Sequence, residues 1–212
     1  MTFDSPQLRL YLVTDSRMCA PVPLPVLVRQ AVDGGITMVQ LREKEMEGRE
    51  FLELALAVKE VLAGTGIPLV INDRIDVAVA AGCDGVHLGQ SDLPVDAARK
   101  ILGPEGIIGL SVYTPEEARE AEQLGADYLG VGPVFPTSTK LDADPVMNPA
   151  QLRAVTAAVR IPVVAIGGIH AGNIRQLEGT GLAGVAVVSA ICAAADPVQA
   201  AAELRHTWPD TW

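Results

Sequence analysis

Gln40-Leu41-Arg42-Glu43-Lys44 sets an amide and two cations at alternate positions. In an extended stretch Gln40, Arg42 and Lys44 point to one side, and Leu41 and Glu43 to the other. A guanidinium offers a flat bidentate fork and an ammonium a point charge, so the triple suits a phosphate-like anion. The plainer reading is a solvated strand end in which Glu43 pairs with a neighbouring cation. Further along, Asp73 follows Asn72, and Asp92 follows Gly89-Gln90-Ser91. Two carboxylates with no Cys or His cluster beside them favour Mg2+, which takes one or two carboxylates and fills its shell with water and substrate phosphates. Helix capping is the alternative for both. A third group, Thr137-Ser138-Thr139-Lys140, follows Gly132-Pro133-Val134-Phe135-Pro136. Its hydroxyls and cation could hold phosphate oxygens, or form an ordinary turn. Ser111 adds one more hydroxyl, a weak signal by itself. Gly167-Gly168 and Ser189-Ala190 are small enough for backbone N–H groups to approach a phosphate.

These residues matter only if the chain gathers them, and the pattern around them says how it does. A short apolar run rich in β-branched residues is followed by turn residues, a helical stretch, a glycine and another apolar run. The unit recurs about eight times. Strands are expected over Leu8–Thr14, Met38–Arg42, Leu69–Ile71, Gly85–Leu88, Ile107–Ser111, Tyr128–Val131, Val163–Ile166 and Gly184–Val188. Helices are expected over Leu24–Asp33, Gly48–Ala63, Arg74–Ala81, from Pro94, and over Pro115–Leu124, Pro149–Val159, Gly172–Glu178 and Pro197–His206. Thr114 and Glu117 form a capping box at the start of one of them. Repeated strand–helix units imply parallel strands and right-handed crossovers. Eight units predict an α/β fold, a single (β/α)8 TIM barrel over 1–212, with an open doubly wound sheet as the alternative. In a barrel the site lies at the C-terminal ends of the strands, where every group named above falls.

Bulk properties narrow the class. Hydrophobic residues are 49% of the 212 and aromatics only 4%, so the core is aliphatic, as in a buried parallel sheet. The net charge of −10 argues against nucleic acid and against anionic membranes as partners. There is no signal-peptide pattern and no apolar run of membrane-spanning length. Cys19, Cys83 and Cys192 make no metal or redox spacing, which suits reduced thiols in a cytoplasmic protein. His87, His170 and His206 are isolated, and each reads as a core or surface histidine without a catalytic role.

Seven segments together resemble the thiamine phosphate synthase family: QLREK at 40–44, INDRID at 71–76, DGVHLGQSD at 84–92, Gly109–Ser111, ADYLGVGPVFPTSTK at 126–140, AIGGI at 165–169 and VVSAI at 187–191. The resemblance covers nearly the whole chain. It implies a Mg2+-dependent transferase that joins two small-molecule substrates, hydroxymethylpyrimidine diphosphate and hydroxyethylthiazole phosphate, and releases diphosphate. It implies that Gln40, Leu41, Arg42, Glu43, Lys44, Asn72 and Ser111 contact the pyrimidine substrate. Asp73 and Asp92 would ligate Mg2+. Thr137, Ser138, Thr139, Gly168, Val188 and Ser189 would contact the thiazole phosphate, and Lys140 the diphosphate. Arg42, Lys44 and Lys140 would neutralise the leaving group. The sequence departs from the family where Asn148-Pro149 stands in place of an expected glycine, though Asn can cap a helix and Pro open one. Rival readings are a metal-free thiazole tautomerase, a non-catalytic thiazole phosphate sensor and a sugar-phosphate isomerase. The last would need a carboxylate or histidine base near the substrate carbon, and the sequence offers no clear one.

Overall fold

The computed structural model describes residues 4–137, 139 and 145–208. Eight parallel strands close into a barrel in sequence order: β1 (Leu10–Val13), β2 (Met38–Leu41), β3 (Leu69–Asn72), β4 (Gly85–Leu88), β5 (Ile107–Val112), β6 (Tyr128–Val131), β7 (Val163–Ile166) and β8 (Gly184–Val187). β8 returns to β1, pairing Tyr11 with Ala186. The (β/α)8 expectation is met, and no open sheet edge is left for the doubly wound alternative.

Side chains alternate across each strand. Leu10 and Leu12 of β1, and Val39 and Leu41 of β2, pack outward against the helices. Tyr11, Val13, Met38, Val70, Tyr128, Val164 and Ala186 point inward and fill the barrel. The outward layer is covered by α1 (Ser16–Cys19), α2 (Leu24–Asp33), α3 (Gly48–Leu62), α4 (Ile75–Ala81), α5 (Val95–Leu102), α6 (Pro115–Leu124), α7 (Pro149–Thr156), α8 (Ser189–Cys192) and α9 (Pro197–Thr207). In α2, Leu24, Leu27, Val28 and Ala31 form the buried stripe at helical spacing.

Several boundaries follow local chemistry. Thr114 and Glu117 form the expected capping box: Glu117 N–H donates to Thr114 Oγ1 at 3.1 Å, and Thr114 N–H to Glu117 Oε2 at 3.3 Å. Asn148 caps α7 by accepting from Ala150 and Gln151 N–H, so the Asn-Pro step starts that helix. The helix stops at Thr156 rather than Val159. Thr156 Oγ1 donates to Thr180 O at 2.7 Å, and Ala157 closes the helix as its C-cap. The helix expected over 172–178 shrinks to a 3-10 turn, Ile174–Leu177, held between the His170 carbonyl and Gly179. Two short helices, α1 and α8, were not expected. One turn each, they give no periodic signal. Among the described residues no helix is long and apolar enough to cross a membrane.

Candidate active site

The C-terminal ends of the strands open onto one cavity of about 430 Å3. Its rim on the β2–β4 side is charged. Arg42 and Lys44 extend beyond β2 into the cavity, with the Arg42 N–H fixed by Thr14 Oγ1 at 3.1 Å. Asp73, just past β3, has φ of +60°, which no other described non-glycine residue shares in sign. Its N–H donates to the His87 carbonyl at 2.9 Å, and Arg74 N–H to Asn72 O at 2.7 Å, so the backbone turns sharply there. The turn brings Asp73 Oδ2 to 2.5 Å from Lys44 Nζ. Asp92 Oδ2 accepts from Gly89 N–H at 2.7 Å. Burial, and then the neighbouring Asp73, raise the Asp92 carboxyl above its ordinary value. A crowded carboxylate pair of this kind is relieved by a cation.

Neither aspartate caps a helix. The N-caps of α4 and α5 are Arg74 and Pro94, without side-chain capping bonds. Among the described residues no three or more His, Cys, Asp and Glu gather as a closed metal cage. Two converging carboxylates beside two cations fit an ion that keeps room for phosphate and water, as Mg2+ does.

The opposite rim, from β6 to β8, carries glycines and hydroxyls and no charged side chain among the described residues. Gly132, Gly167 and Gly168 line it together with Thr137, Thr139, Val188 and Ser189. Gly168 has φ of +65°, and a Cβ there would meet Pro136 O at 2.4 Å. The glycine is thus required by the loop after β6, which lies directly against the loop after β7. Asn173 Nδ2 holds the Gly168 carbonyl at 2.8 Å. Val188 precedes α8 with no side-chain cap, so the first N–H groups of that turn are left for an external acceptor.

The floor is a polar chain crossing the barrel. Gln40 Nε2 donates to Tyr11 Oη at 2.7 Å. Tyr11 and Tyr128 hydroxyls meet at 2.8 Å, Tyr128 Oη lies 3.0 Å from His87 Nδ1, and His87 Nε2 lies 3.0 Å from Ser111 Oγ. Burial pushes the His87 imidazole down to about 4 and raises both tyrosines. The ring is therefore neutral near pH 7.

Of the residues singled out in sequence, Gln40, Arg42, Lys44, Asn72, Asp73, Asp92, Ser111, Thr137, Thr139, Gly168, Val188 and Ser189 all line this cavity. Leu41 is fully buried in the layer between barrel and helices, and Glu43 accepts a hydrogen bond from the Ser16 hydroxyl; neither lines the cavity. Ser138 and Lys140 lie outside the described residues. Tyr11, His87 and Tyr128 were not singled out as site residues. The available signal was strand alternation: Val86 and Leu88 face outward, so His87 between them faces in.

The chain matches the family model described as thiamine monophosphate synthase over residues 10–191. A thiamine-phosphate synthase of Albidiferax ferrireducens is 56% identical over 199 residues, 94% of this chain and 91% of that protein. One of Desulfitobacterium hafniense is 50% identical over 94% of this chain and 96% of its own length. A solved structure of thiamine phosphate pyrophosphorylase from Pyrococcus furiosus superposes with a TM-score of 0.86 at 42% identity, covering 96% of each chain.

Proposed function

The chain belongs to the thiamine monophosphate synthase family and is a transferase, and from that premise we propose that its cavity joins hydroxymethylpyrimidine diphosphate to hydroxyethylthiazole phosphate with Mg2+ as cofactor. The observation that carries this reading is the division of one cavity into a rim of two carboxylates and two cations and a facing rim of glycines and hydroxyls. The first suits a metal-bound diphosphate, the second a phosphate held by backbone and side-chain donors.

In the reaction the bond between the pyrimidine methylene carbon and the diphosphate oxygen breaks, and its electron pair leaves with diphosphate. The thiazole ring nitrogen gives its lone pair to the methylene carbon. No proton needs to move, which agrees with a cavity whose histidine is held neutral. Mg2+ held by Asp73 and Asp92 would neutralise charge on the diphosphate oxygens. Arg42 and Lys44 add fixed positive charge where negative charge grows, and Lys140 belongs to the same proposal. Asn72 and Ser111 would hold the pyrimidine. Thr137, Ser138, Thr139, Gly168, Val188 and Ser189 would fix the thiazole phosphate, so that its nitrogen is in place when the methylene carbon becomes electron-poor. Three free thiols suit a reducing, cytoplasmic setting.

The test is diphosphate release from the purified protein, with each heterocycle and Mg2+ omitted in turn. Release that needs all three, with thiamine phosphate formed, is expected. Binding of thiazole phosphate without any release would replace this reading by a sensor or isomerase.

A further inference from the structure

We propose that Asn173 is a positioning residue whose side chain turns the peptide between Gly168 and Ile169, so that the Ile169 N–H stands beside the Gly168 N–H as a second backbone donor to a ligand phosphate. That a thiazole carries this phosphate rests on the function proposed above; the aim of the two N–H groups does not.

The direction of each N–H follows from the carbonyl of its own peptide. In a planar trans peptide the N–H and the C=O point opposite ways, and neither the Gly167–Gly168 nor the Gly168–Ile169 bond is cis. The Gly167 carbonyl accepts from Phe135 N–H at 3.0 Å. The Gly168 carbonyl accepts from Asn173 Nδ2 at 2.8 Å. Phe135 and Asn173 lie outside the cavity lining, whereas Gly167, Gly168 and Ile169 belong to it. Both carbonyls are thus drawn away from the cavity, and the Gly168 and Ile169 N–H groups point toward it. The left-handed φ of +65° at Gly168 lets two successive N–H groups converge, as in an anion-binding nest. Among the described residues neither N–H meets an acceptor. Ile169 is only 4% exposed, and a buried backbone donor is costly unless an acceptor reaches it.

The orientation of the Asn173 amide is fixed by its partners. Its Oδ1 accepts from His170 N–H at 2.9 Å, so the atom on the Gly168 carbonyl is the nitrogen. The second Nδ2 proton does not alter that direction, because a carbonyl can only accept. Nor is the side chain needed to close the turn. Asn173 N–H and Ile174 N–H both donate to the His170 carbonyl at 3.0 Å, and Gly172 N–H donates to His170 Nδ1 at 3.2 Å.

The two donors are therefore held separately. A backbone contact from the loop after β6 sets the Gly168 N–H, and one side chain sets the Ile169 N–H. Hydrogen bonds from N–H to an ionised phosphate are among the strong ones. A thiazole alcohol that lacks the phosphate gains nothing from either donor, so its binding should be indifferent to Asn173.

Amide 1H–15N spectra of the full chain test this, with hydroxyethylthiazole phosphate and, separately, inorganic phosphate as the added ligand. In the wild type the Gly168 and Ile169 N–H protons should both move downfield at saturation. In Asn173→Ala the Ile169 shift should be largely lost while the Gly168 shift persists. Loss of both would make Asn173 a plain support of the loop, and loss of neither would show that the Gly168 carbonyl needs no such hold; either result overturns the proposal. Calorimetry gives a second reading. The preference for thiazole phosphate over the thiazole alcohol should fall roughly tenfold in Asn173→Ala, with the pyrimidine diphosphate KM within about twofold. An unchanged preference in the folded variant would end the proposal. Should Asn173→Ala not fold, Asn173→Asp keeps an acceptor for the His170 N–H and loses the donor to Gly168, and the same split between the two amides is expected. If only inorganic phosphate moves the wild-type amides, the proposed reaction fails, and those spectra decide the role of Asn173. If neither ligand moves the Ile169 amide, the role of Asn173 fails by itself.

Discussion

The two rims of the cavity, both proposed to hold phosphate groups, are built by different means. Between β2 and β4 the work falls to side chains: Arg42 and Lys44 against Asp73 and Asp92. Between β6 and β8 hydroxyls share it with backbone, at Gly132, Gly167 and Gly168, where the loop after β6 lies too close to the end of β7 and the loop beyond it for any Cβ. A side-chain rim can be edited one charge at a time while the fold stays put. A backbone rim cannot, because the residues that shape it also hold the loops together. The contrast predicts that substitutions on the first rim change chemistry more than stability, and that those on the second change both.

The largest expected effect is on the charged rim. Asp92→Ala should lower Mg2+-dependent turnover by roughly 10²-fold or more, with the melting temperature kept within a few degrees. Turnover that survives chelation in the wild type would break the comparison outright. Next comes Gly168→Ala. With φ of +65° and Pro136 O 2.4 Å from the new Cβ, it should cost on the order of 1–3 kcal/mol of stability and raise the thiazole phosphate KM as well, both read from one purified variant. A stable variant with an altered KM would show that the glycine serves the ligand and not the loop contact. Smaller is Ser189→Asp, which sets a carboxylate at the start of α8 and should raise that KM about tenfold by like-charge repulsion, with pyrimidine KM unmoved. The smallest effect has the opposite sign. The Asp92 carboxyl is raised by burial and by Asp73, so its charged form opposes folding in metal-free protein. That opposition is present at pH values above the raised pKa and disappears as acidification protonates the group. Asp92→Asn should therefore stabilise the metal-free protein near pH 8 by about 0.5–1 kcal/mol while abolishing most turnover. A loss of stability instead would mean that the Gly89 contact outweighs the repulsion.

The same contrast explains what the sequence disclosed. Charged residues just past a strand are legible, because alternation decides their face. It placed Gln40, Arg42 and Lys44 together, and it also set Leu41 and Glu43 on the other side, where they lie. The family resemblance nevertheless implies both as pyrimidine contacts, and neither lines the cavity. Gly168 was legible as a position, but its reason was not: the atom that excludes a side chain belongs to Pro136, in another loop. The floor was least legible. Tyr11, His87 and Tyr128 come from β1, β4 and β6, and only closure of the barrel brings the Tyr128 hydroxyl to 2.8 Å from Tyr11 Oη and 3.0 Å from His87 Nδ1. Helix capping at Thr114 and Asn148 was readable because it is written within four residues.

The left-handed turn at Asp73 has a consequence on another timescale. Glycine, and to a lesser degree Asn, would occupy a φ of +60° at lower cost than Asp. Under neutral drift such a position slides toward the residue its backbone prefers. A barrel that keeps this turn but has lost its need for a carboxylate should carry Gly or Asn there, while Asp at this one position marks a lineage in which selection still acts against the backbone's own preference.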